Sequence, residues 1–562
     1  MFHRHHAHWP AGLPKSLSVP RTSIYFNLEV SARRYPDRCA LDYYGSRTTY
    51  GELKRQVDAL AGFLQGHCDV GSGDRVLLYT QNSPQYVIGY YAILRADAVV
   101  VPVNPMNRGE ELRHCLEDAG AATVLATQEL WEPIEPLLGT SGLAHAVLSA
   151  YSDYLIAPTD LPLPTFVRAP RKPIAGPGVT PWAEAIAAEM TPDEQRAGPE
   201  ALAVMPYTSG TTGKPKGCMH THRSVLATST AVAYWRADTS ETVALAVLPM
   251  FHVTGMQDMN ATIQSGGTVV LLTRWDRECA TRQIERAGVT TFTAITTMLV
   301  DFLSNPGLDR HDLSSLMWLG GGGAAMPEAV ARKLETAFGK PYIEGYGLSE
   351  TMAPTHLNPP HRPKRQCAGI PIFDVDARVL DPDSLAECGP NQVGEIVVHG
   401  PQVFQGYWKQ PAATAEAFLD HDGKRFFRTG DLGYYDEEGY FFITDRLKRM
   451  INASGFKVWP AEVEAMLYAH PDIQEVCVIG VPDPYRGETV KAVVVPTPAA
   501  RGSLQAQTII DWARERMATY KVPRAVELVA ELPKTATGKV FWRKLQEEED
   551  RRAAGEGAES TS

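Results

Sequence analysis

The sequence predicts an α/β protein: a large N-terminal domain of parallel or mixed sheets with flanking helices, then a small C-terminal α+β domain. Three observations predict it. Helix and strand patterns alternate in two successive runs before residue 447. A glycine- and hydroxyl-rich loop, Tyr207–Gly217, leaves the apolar run Ala201–Met205 between those two runs. After Asp445-Arg446-Leu447-Lys448-Arg449 the pattern restarts as a unit of about a hundred residues with its own apolar periodicity. The predicted division is therefore 1–447, 448–546 and an acidic, then small and polar, disordered tail over 547–562.

The elements follow in order. Thr49-Tyr50-Gly51-Glu52 has the spacing of a capping box, and Leu53, Val57, Leu60 and Leu64 continue it at helical intervals. Arg75–Tyr79 reads as a strand, Pro84–Arg95 as a helix with proline in its first turn, and Ala98–Val103 as the next strand, a βαβ unit. Glu110–Ala119 and Ala121–Ala126 repeat helix then strand. The proline-rich stretch Ala157–Pro199 reads as a long surface connection. In the second run Thr242–Leu248, Thr268–Leu272 and Thr290–Ile295 are strands, with a helix over Arg277–Ala287. Leu316–Leu319 leads into Gly320-Gly321-Gly322-Gly323, and Tyr342-Ile343 into Glu344-Gly345-Tyr346-Gly347-Leu348-Ser349-Glu350. Short strands fill Gln392–Phe442, with a hairpin at Tyr434–Gly439. In the last unit Pro460–His470 and Leu504–Ala518 are helices, and Val476–Val481 and Val490–Val495 are strands.

Composition excludes several classes. The 562 residues are 44% hydrophobic and 21% charged, as in soluble globular proteins. A net charge of −11 argues against nucleic acid as the main partner. No apolar run approaches the roughly 20 residues that span a bilayer. Met1–Pro20 lacks the apolar centre of a signal peptide, and its histidines His3, His5, His6 and His8 read as a disordered tail. The 8 cysteines are scattered without a Cys-x-x-Cys pair, which fits reduced thiols and a cytoplasmic location.

The loop Tyr207–Gly217 carries the first functional signal. Its glycines let backbone N–H groups turn inward, and its hydroxyls and two lysines add donors, a concave set suited to phosphate oxygens. It is not a Walker loop: Gly210 and Gly213 are only three apart and Pro215 follows Lys214. Gly538-Lys539 fails the same test, with Pro533 at the first glycine position and Val540 after the lysine. No Gly-x-Gly-x-x-Gly opens a helix after a strand, so a dinucleotide fold has no support.

Six further signals stand in a set order with this loop: Pro249-Met250-Phe251-His252, Gly321–Ala324, Glu344–Glu350, Thr429-Gly430-Asp431, Asp445-Arg446 and Pro533–Lys539. The series resembles the adenylate-forming (ANL) superfamily of acyl-CoA synthetases, luciferases and peptide-synthetase adenylation domains, from about Thr22 to Leu545. Within it the chain is similar to the fatty acyl-CoA synthetases, AMP-dependent acid–CoA ligases. That resemblance implies a mobile C-terminal lid, Mg²⁺ as cofactor, and ATP and coenzyme A as co-substrates of a carboxylic acid.

It also implies roles. Thr208, Ser209, Gly210, Thr211, Thr212, Gly213 and Lys214 would hold the β- and γ-phosphates. Tyr346 would lie along the adenine, with Gly322, Gly323 and Ala324 at its edge, and Glu344, Gly345 and Gly347 completing that wall. Asp431 would accept from the ribose hydroxyls with Arg446 beside it, and Ser349 would donate to the α-phosphate. Glu350 and Thr208 would share the Mg²⁺. Lys539 would place a cation between the attacking carboxylate and the α-phosphate. Lys448 falls at the hinge, and Ser454, Gly455 and Phe456 would meet the pantetheine of CoA. His252 would stand near the adenylate carbonyl.

The resemblance places the acyl pocket among Phe251, Val253, Met256, Met259, Gly320 and Gly321. The segment has neither the aspartate that pairs with an amino acid's amine nor a cation for a dicarboxylate. Flexible methionines suit an apolar chain, so a medium- or long-chain fatty acid is expected, with an aromatic acid as the alternative. A ligase loading a carrier protein, a luciferase-like oxygenase and a nucleotide-binding regulator without catalysis stay open at this point. Peripheral membrane contact and a homodimer are compatible with the sequence; neither is encoded by a motif.

Overall fold

The computed structural model describes residues 3–208, 215–323, 326–453, 456–483, 487–534 and 540–553. These fall into two compact units, one within Met1–Ala377, Val398–Phe427 and Glu438–Tyr440, the other within Arg378–Val397, Arg428–Glu437 and Phe441–Ser562.

The first unit is built on two large sheets, of seven and nine strands. Helix α1 (Tyr50–Gly66) starts at a complete capping box, Thr49 and Glu52 each bonding the other's backbone N–H. Strand β1 (Arg75–Tyr79) is followed by α2 (Pro84–Arg95), β2 (Val99–Pro102), α3 (Glu110–Ala119) and β3 (Thr123–Thr127). Strand β1 lies between β2 and β3, all parallel, so the expected βαβ units are present. Their faces are apolar because both sides are covered, and Val76, Leu78, Val100 and Leu125 are fully enclosed. Leu202–Val204 and His220–Thr221 extend one side of this seven-stranded sheet, and His145–Ser149 and Val179–Pro181 the other.

The second, nine-stranded sheet is built on α4 (His222–Arg236), β4 (Val243–Ala246), α5 (Val253–Ser265), β5 (Thr268–Leu271), β6 (Thr291–Thr293), β7 (Trp318–Gly322) and β8 (Ile343–Leu348). Strands β5, β4, β6, β7 and β8 lie side by side in that order and parallel, and Ala353–Leu357 then pairs antiparallel with β8.

Three expectations are corrected. The proline-rich connection is not all irregular: Val179–Pro181 is an edge strand and Trp182–Ala187 a helix, anchored by the buried Trp182. The tail expected to be disordered from Glu547 is helical as far as Ala553, within Trp542–Ala553, because Glu549 pairs with Lys491 at 2.7 Å and Gln546 bonds both backbone groups of Gly480. The histidine-rich N-terminus is ordered too. Arg4–His8 form one 3₁₀ turn with His5 buried, and Trp9 packs edge-on against Trp235 and Phe373. Two aromatic anchors within five residues bury enough apolar surface to hold an arm whose charge pattern alone looks like a solvated tail.

Burial makes that arm pH-sensitive. It lowers the His5 imidazole from its ordinary value to about 3, helped by His6, His356, His3 and Lys15. An unfolded histidine titrates near 6.5, so the contribution of His5 is whole above that value and is lost as pH falls toward 3. Docking of the arm should weaken by about 2 kcal/mol at about pH 5. Proteolytic removal of the arm should accelerate there in the native protein, and His5→Phe should flatten the pH profile.

The second unit has a sheet in which Gly487–Pro496 pairs antiparallel with Ile473–Asp483 and parallel with Ala525–Leu528. Helices Pro460–Leu467 and Ala506–Arg514 pack Val463, Leu467, Ile509 and Ala513 onto Val476, Val478, Val490 and Val494.

Candidate active site

Within the first unit the site is assembled around the stem of the donor-rich loop. Tyr207–Thr208 and Lys216–Gly217 pair antiparallel, with Thr208 opposite Lys216; Ser209, Gly210, Thr211, Thr212, Gly213 and Lys214 lie outside the described residues. The Tyr207 hydroxyl donates to Asp118 at the end of α3, 2.6 Å away, and the backbone oxygen of Asp118 accepts from the Trp408 indole at 2.9 Å. The Trp408 N–H donates to Gly217 O, so one segment grips both sides of the stem.

That segment also reaches Glu350. The Tyr407 hydroxyl donates to its carboxylate at 2.8 Å, and Phe404 N–H donates to its backbone oxygen. Lys216 lies 4.9 Å from the centre of the Tyr407 ring. Tyr407 thus links the stem of the anion loop to the carboxylate expected at the metal. Glu350 and Thr208 are hard oxygen donors, the ligand type Mg²⁺ takes, and the half-buried, oriented carboxylate fits that ion. Ser349, next to it, has its backbone oxygen 2.7 Å from His220 Nε2.

The glycine run is largely strand, not turn. Gly320, Gly321 and Gly322 of β7 lie opposite Ile343, Glu344 and Gly345 of β8. A Cβ on Gly321 would stand 2.1 Å from Ala294 O, and one on Gly322 2.3 Å from Gly345 O. Only glycine permits that approach. Tyr346, half-buried, has its ring 5.7 Å from that of His356 on the adjoining strand. Gly347 beside it is exposed. Glu344 is buried and accepts from Met326 N at 3.0 Å and Gln366 N at 2.7 Å. Burial raises its carboxyl to about 7 against those N–H bonds. It therefore ties the backbone beyond the glycine run to β8. Gly323 closes β7 with φ of 90°, and Ala324 lies outside the described residues.

On the other side of the glycine strand stands the Pro249–His252 turn. His252 caps α5: its Nδ1 accepts from Thr254 N at 3.4 Å. Phe251 is half-buried, whereas Val253, Met256 and Met259 are enclosed.

In the second unit two of the expected groups are cross-strand partners. Asp431, buried, and Arg446 lie opposite each other, and their side chains form an ion pair at 2.5 Å. Next to Arg446, Asp445 accepts from Ala461 N at 2.7 Å, and Arg449 pairs with Glu464, so both sides of Lys448 are tied to the helix Pro460–Leu467. Of Lys448 and Phe456 only the backbone is described; Ser454, Gly455 and Lys539 lie outside the described residues. The residues flanking the last of these are paired, Lys534 bridging Val540, with Phe541 N–H donating to Pro533 O.

Sequence reasoning missed Tyr407, Asp118 and His220. The Gly406-Tyr407-Trp408 triplet was the available signal, an aromatic pair after glycine in a loop.

The family model of AMP-binding enzymes matches residues 28–408, and that of the AMP-binding enzyme C-terminal domain matches 462–539. The chain belongs to the AMP-binding enzyme family. Members similar to it include a long-chain-fatty-acid–CoA ligase of Bacillus subtilis (strain 168), 37% identical over 97% of each chain. A feruloyl-CoA synthase of Amycolatopsis is 35% identical over 91% of this chain and 96% of its own. Among solved AMP-binding structures, ATP-bound MatB from Rhodopseudomonas palustris matches with a TM-score of 0.81 at 27% identity, over 94% of this chain and 99% of its own. This AMP-binding enzyme is an adenylate-forming ligase of mixed α/β fold, with a large N-terminal sheet domain and a smaller C-terminal one. Among its described residues no helix is long and apolar enough to cross a membrane.

Proposed function

We propose that this enzyme activates a medium- or long-chain fatty acid as the acyl adenylate and passes it to coenzyme A, releasing pyrophosphate and then AMP. The observation that carries the reading is near-full-length similarity to a long-chain-fatty-acid–CoA ligase. The assembled site supports it. Tyr407 links the Tyr207–Gly217 stem to Glu350, and Tyr346 offers an aromatic face for the adenine. Asp431 and Arg446 supply an acceptor and a donor for the ribose, and Ser349 a donor for the α-phosphate.

Glu350 and Thr208 would hold Mg²⁺, which when bound neutralises charge on the phosphates. Lys539 then brings positive charge to the meeting of carboxylate and α-phosphate. We place the lid at 448–546, turning at Lys448, so that Ser454, Gly455 and Phe456 replace Lys539 when the CoA thiol attacks. Eight thiols without a disulfide among the cysteines suit the cytoplasm.

Incubating the enzyme with ATP, Mg²⁺ and a panel of acids, with and without CoA, tests the reading: pyrophosphate and thioester should both form. Each buried methylene is worth about 0.8 kcal/mol. kcat/KM should therefore rise steadily from butanoate to at least decanoate; a flat or falling profile would overturn the fatty-acid assignment. An aromatic acid is the second reading, favoured by the similarity to feruloyl-CoA synthase, and it predicts a maximum among cinnamate-like acids instead.

A further inference from the structure

The turn that carries Phe251 and His252 is held from the other sheet by a residue that no motif singles out. Asn82 lies between β1 and α2, 4% exposed. Its carboxamide reads the backbone at the entry to the turn: Nδ2 donates to Leu248 O at 2.9 Å, and Oδ1 accepts from Met250 N at 2.8 Å. One turn of α2 further on, the fully buried Tyr86 donates its hydroxyl to Met250 O at 2.6 Å. The turn closes on itself through His252 N–H to Pro249 O at 3.0 Å. From beneath, Gly255 of α5 presses against it, where a Cβ would stand 2.5 Å from Pro249 O and 2.7 Å from Leu248 O. Both backbone polar groups of Met250 are thus satisfied, by Asn82 and by Tyr86 of α2, and Gly255 leaves no room for a side chain between α5 and the turn.

We propose that Asn82 is a positioning residue of the acyl site, its carboxamide setting the Pro249–His252 turn and thereby the aim of Phe251 and His252 at the acid's carboxyl group. The inference rests on the acid–CoA ligase reading and on His252 standing in the acyl site. The chemistry of Asn82 is specific. Aspartate keeps the shape but sets a carboxylate oxygen against Leu248 O, two acceptors with no proton between them. Leucine keeps the volume but strands two buried backbone groups. Either moves the turn rather than the nucleotide loops, which hang on β7, β8 and the Tyr207–Gly217 stem. A displacement of about 1 Å at a reacting group costs about 100-fold in rate.

The experiment compares full-length wild type, Asn82→Asp, Asn82→Leu and Tyr86→Phe in acid-dependent ATP–pyrophosphate exchange, with ATP binding measured separately by calorimetry. For both Asn82 variants kcat/KM for the acid should fall about 100-fold, with ATP affinity within about two-fold of wild type. Tyr86→Phe removes one hydrogen bond, leaves the carboxamide in place, and should cost about five-fold on the acid alone. It remains readable if the Asn82 variants do not fold. Acid kinetics unchanged in the soluble variants, or ATP and acid affected equally, would overturn the inference. Wild type without acid-dependent exchange on any fatty or aromatic acid would instead overturn the ligase reading and the inference with it.

Discussion

Lys539→Ala is expected to slow acyl-adenylate formation by about 10²–10³-fold, roughly 3–4 kcal/mol of transition-state stabilisation. The reason is electrostatic. A carboxylate attacking the α-phosphate brings two anions together, and the developing charge on the transferring group needs a cation held between them. On the proposed assignment the adenine, ribose and acid are held by other residues, so removing that cation should leave substrate binding largely intact and the loss should appear in kcat. On the same proposal the thioester half-reaction does not need it. Preformed acyl-AMP given to the Lys539→Ala enzyme with CoA should yield thioester at close to the wild-type rate. Adenylate formation at the normal rate would show that the proposed division of labour between the half-reactions is wrong.

Arg236→Met should destabilise the first unit by about 3–5 kcal/mol. Arg236 ends α4 with its side chain 2% exposed; it bonds Asp238 at 2.6 Å through Nη2 and pairs with Asp258 of α5 through Nη1. Three charged groups are therefore taken out of water as one mutually compensated set. Burial already pushes the Asp238 carboxyl up, and the Arg236 charge is what opposes it. Without the guanidinium two carboxylates face each other in a buried site. Thermal unfolding should move down by about 10 °C, given about 2–4 °C per kcal/mol in large domains. The sign of the pH dependence identifies the cause. In the variant nothing opposes the burial that pushes the Asp238 carboxyl above its unfolded value, so the deficit relative to wild type should shrink as pH falls and Asp238 takes up a proton. Adding Asp238→Asn and Asp258→Asn should restore much of the stability, since neutral amides need no counter-charge. A deficit independent of pH would mean that lost packing, not stranded charge, is responsible.

How much of this was readable beforehand differs by element. Strand Arg75–Tyr79 and helices Pro84–Arg95, Glu110–Ala119 and Arg277–Ala287 occur at the expected bounds, each having a local signal: a run of branched apolar residues, a proline in the first turn, a glycine or alanine stop. Helices α4 and α5 were not anticipated. α4 is buried on nearly every side, so it has no polar face to mark a period. α5 carries Gln257, Asp258, Asn260 and Thr262 at enclosed positions, where the pattern looks polar and the partners lie far away in the chain. Asn260, for example, donates to Tyr90 and accepts from Tyr91, both on α2.

The sequence by itself determined the chemistry on offer: which loops carry glycine, hydroxyl, lysine and carboxylate, and in what order they follow strands. Those choices are local, since a phosphate cradle or a cap needs residues only a few positions apart. Tertiary structure alone decided how the groups are held. Tyr407 on Glu350, Asp118 under Tyr207 and Asn82 beneath the Pro249–His252 turn join segments 57, 89 and 168 residues apart. No local propensity encodes such contacts, because a hydrogen bond between distant residues gains its energy only after the two sheets have already buried the groups it satisfies.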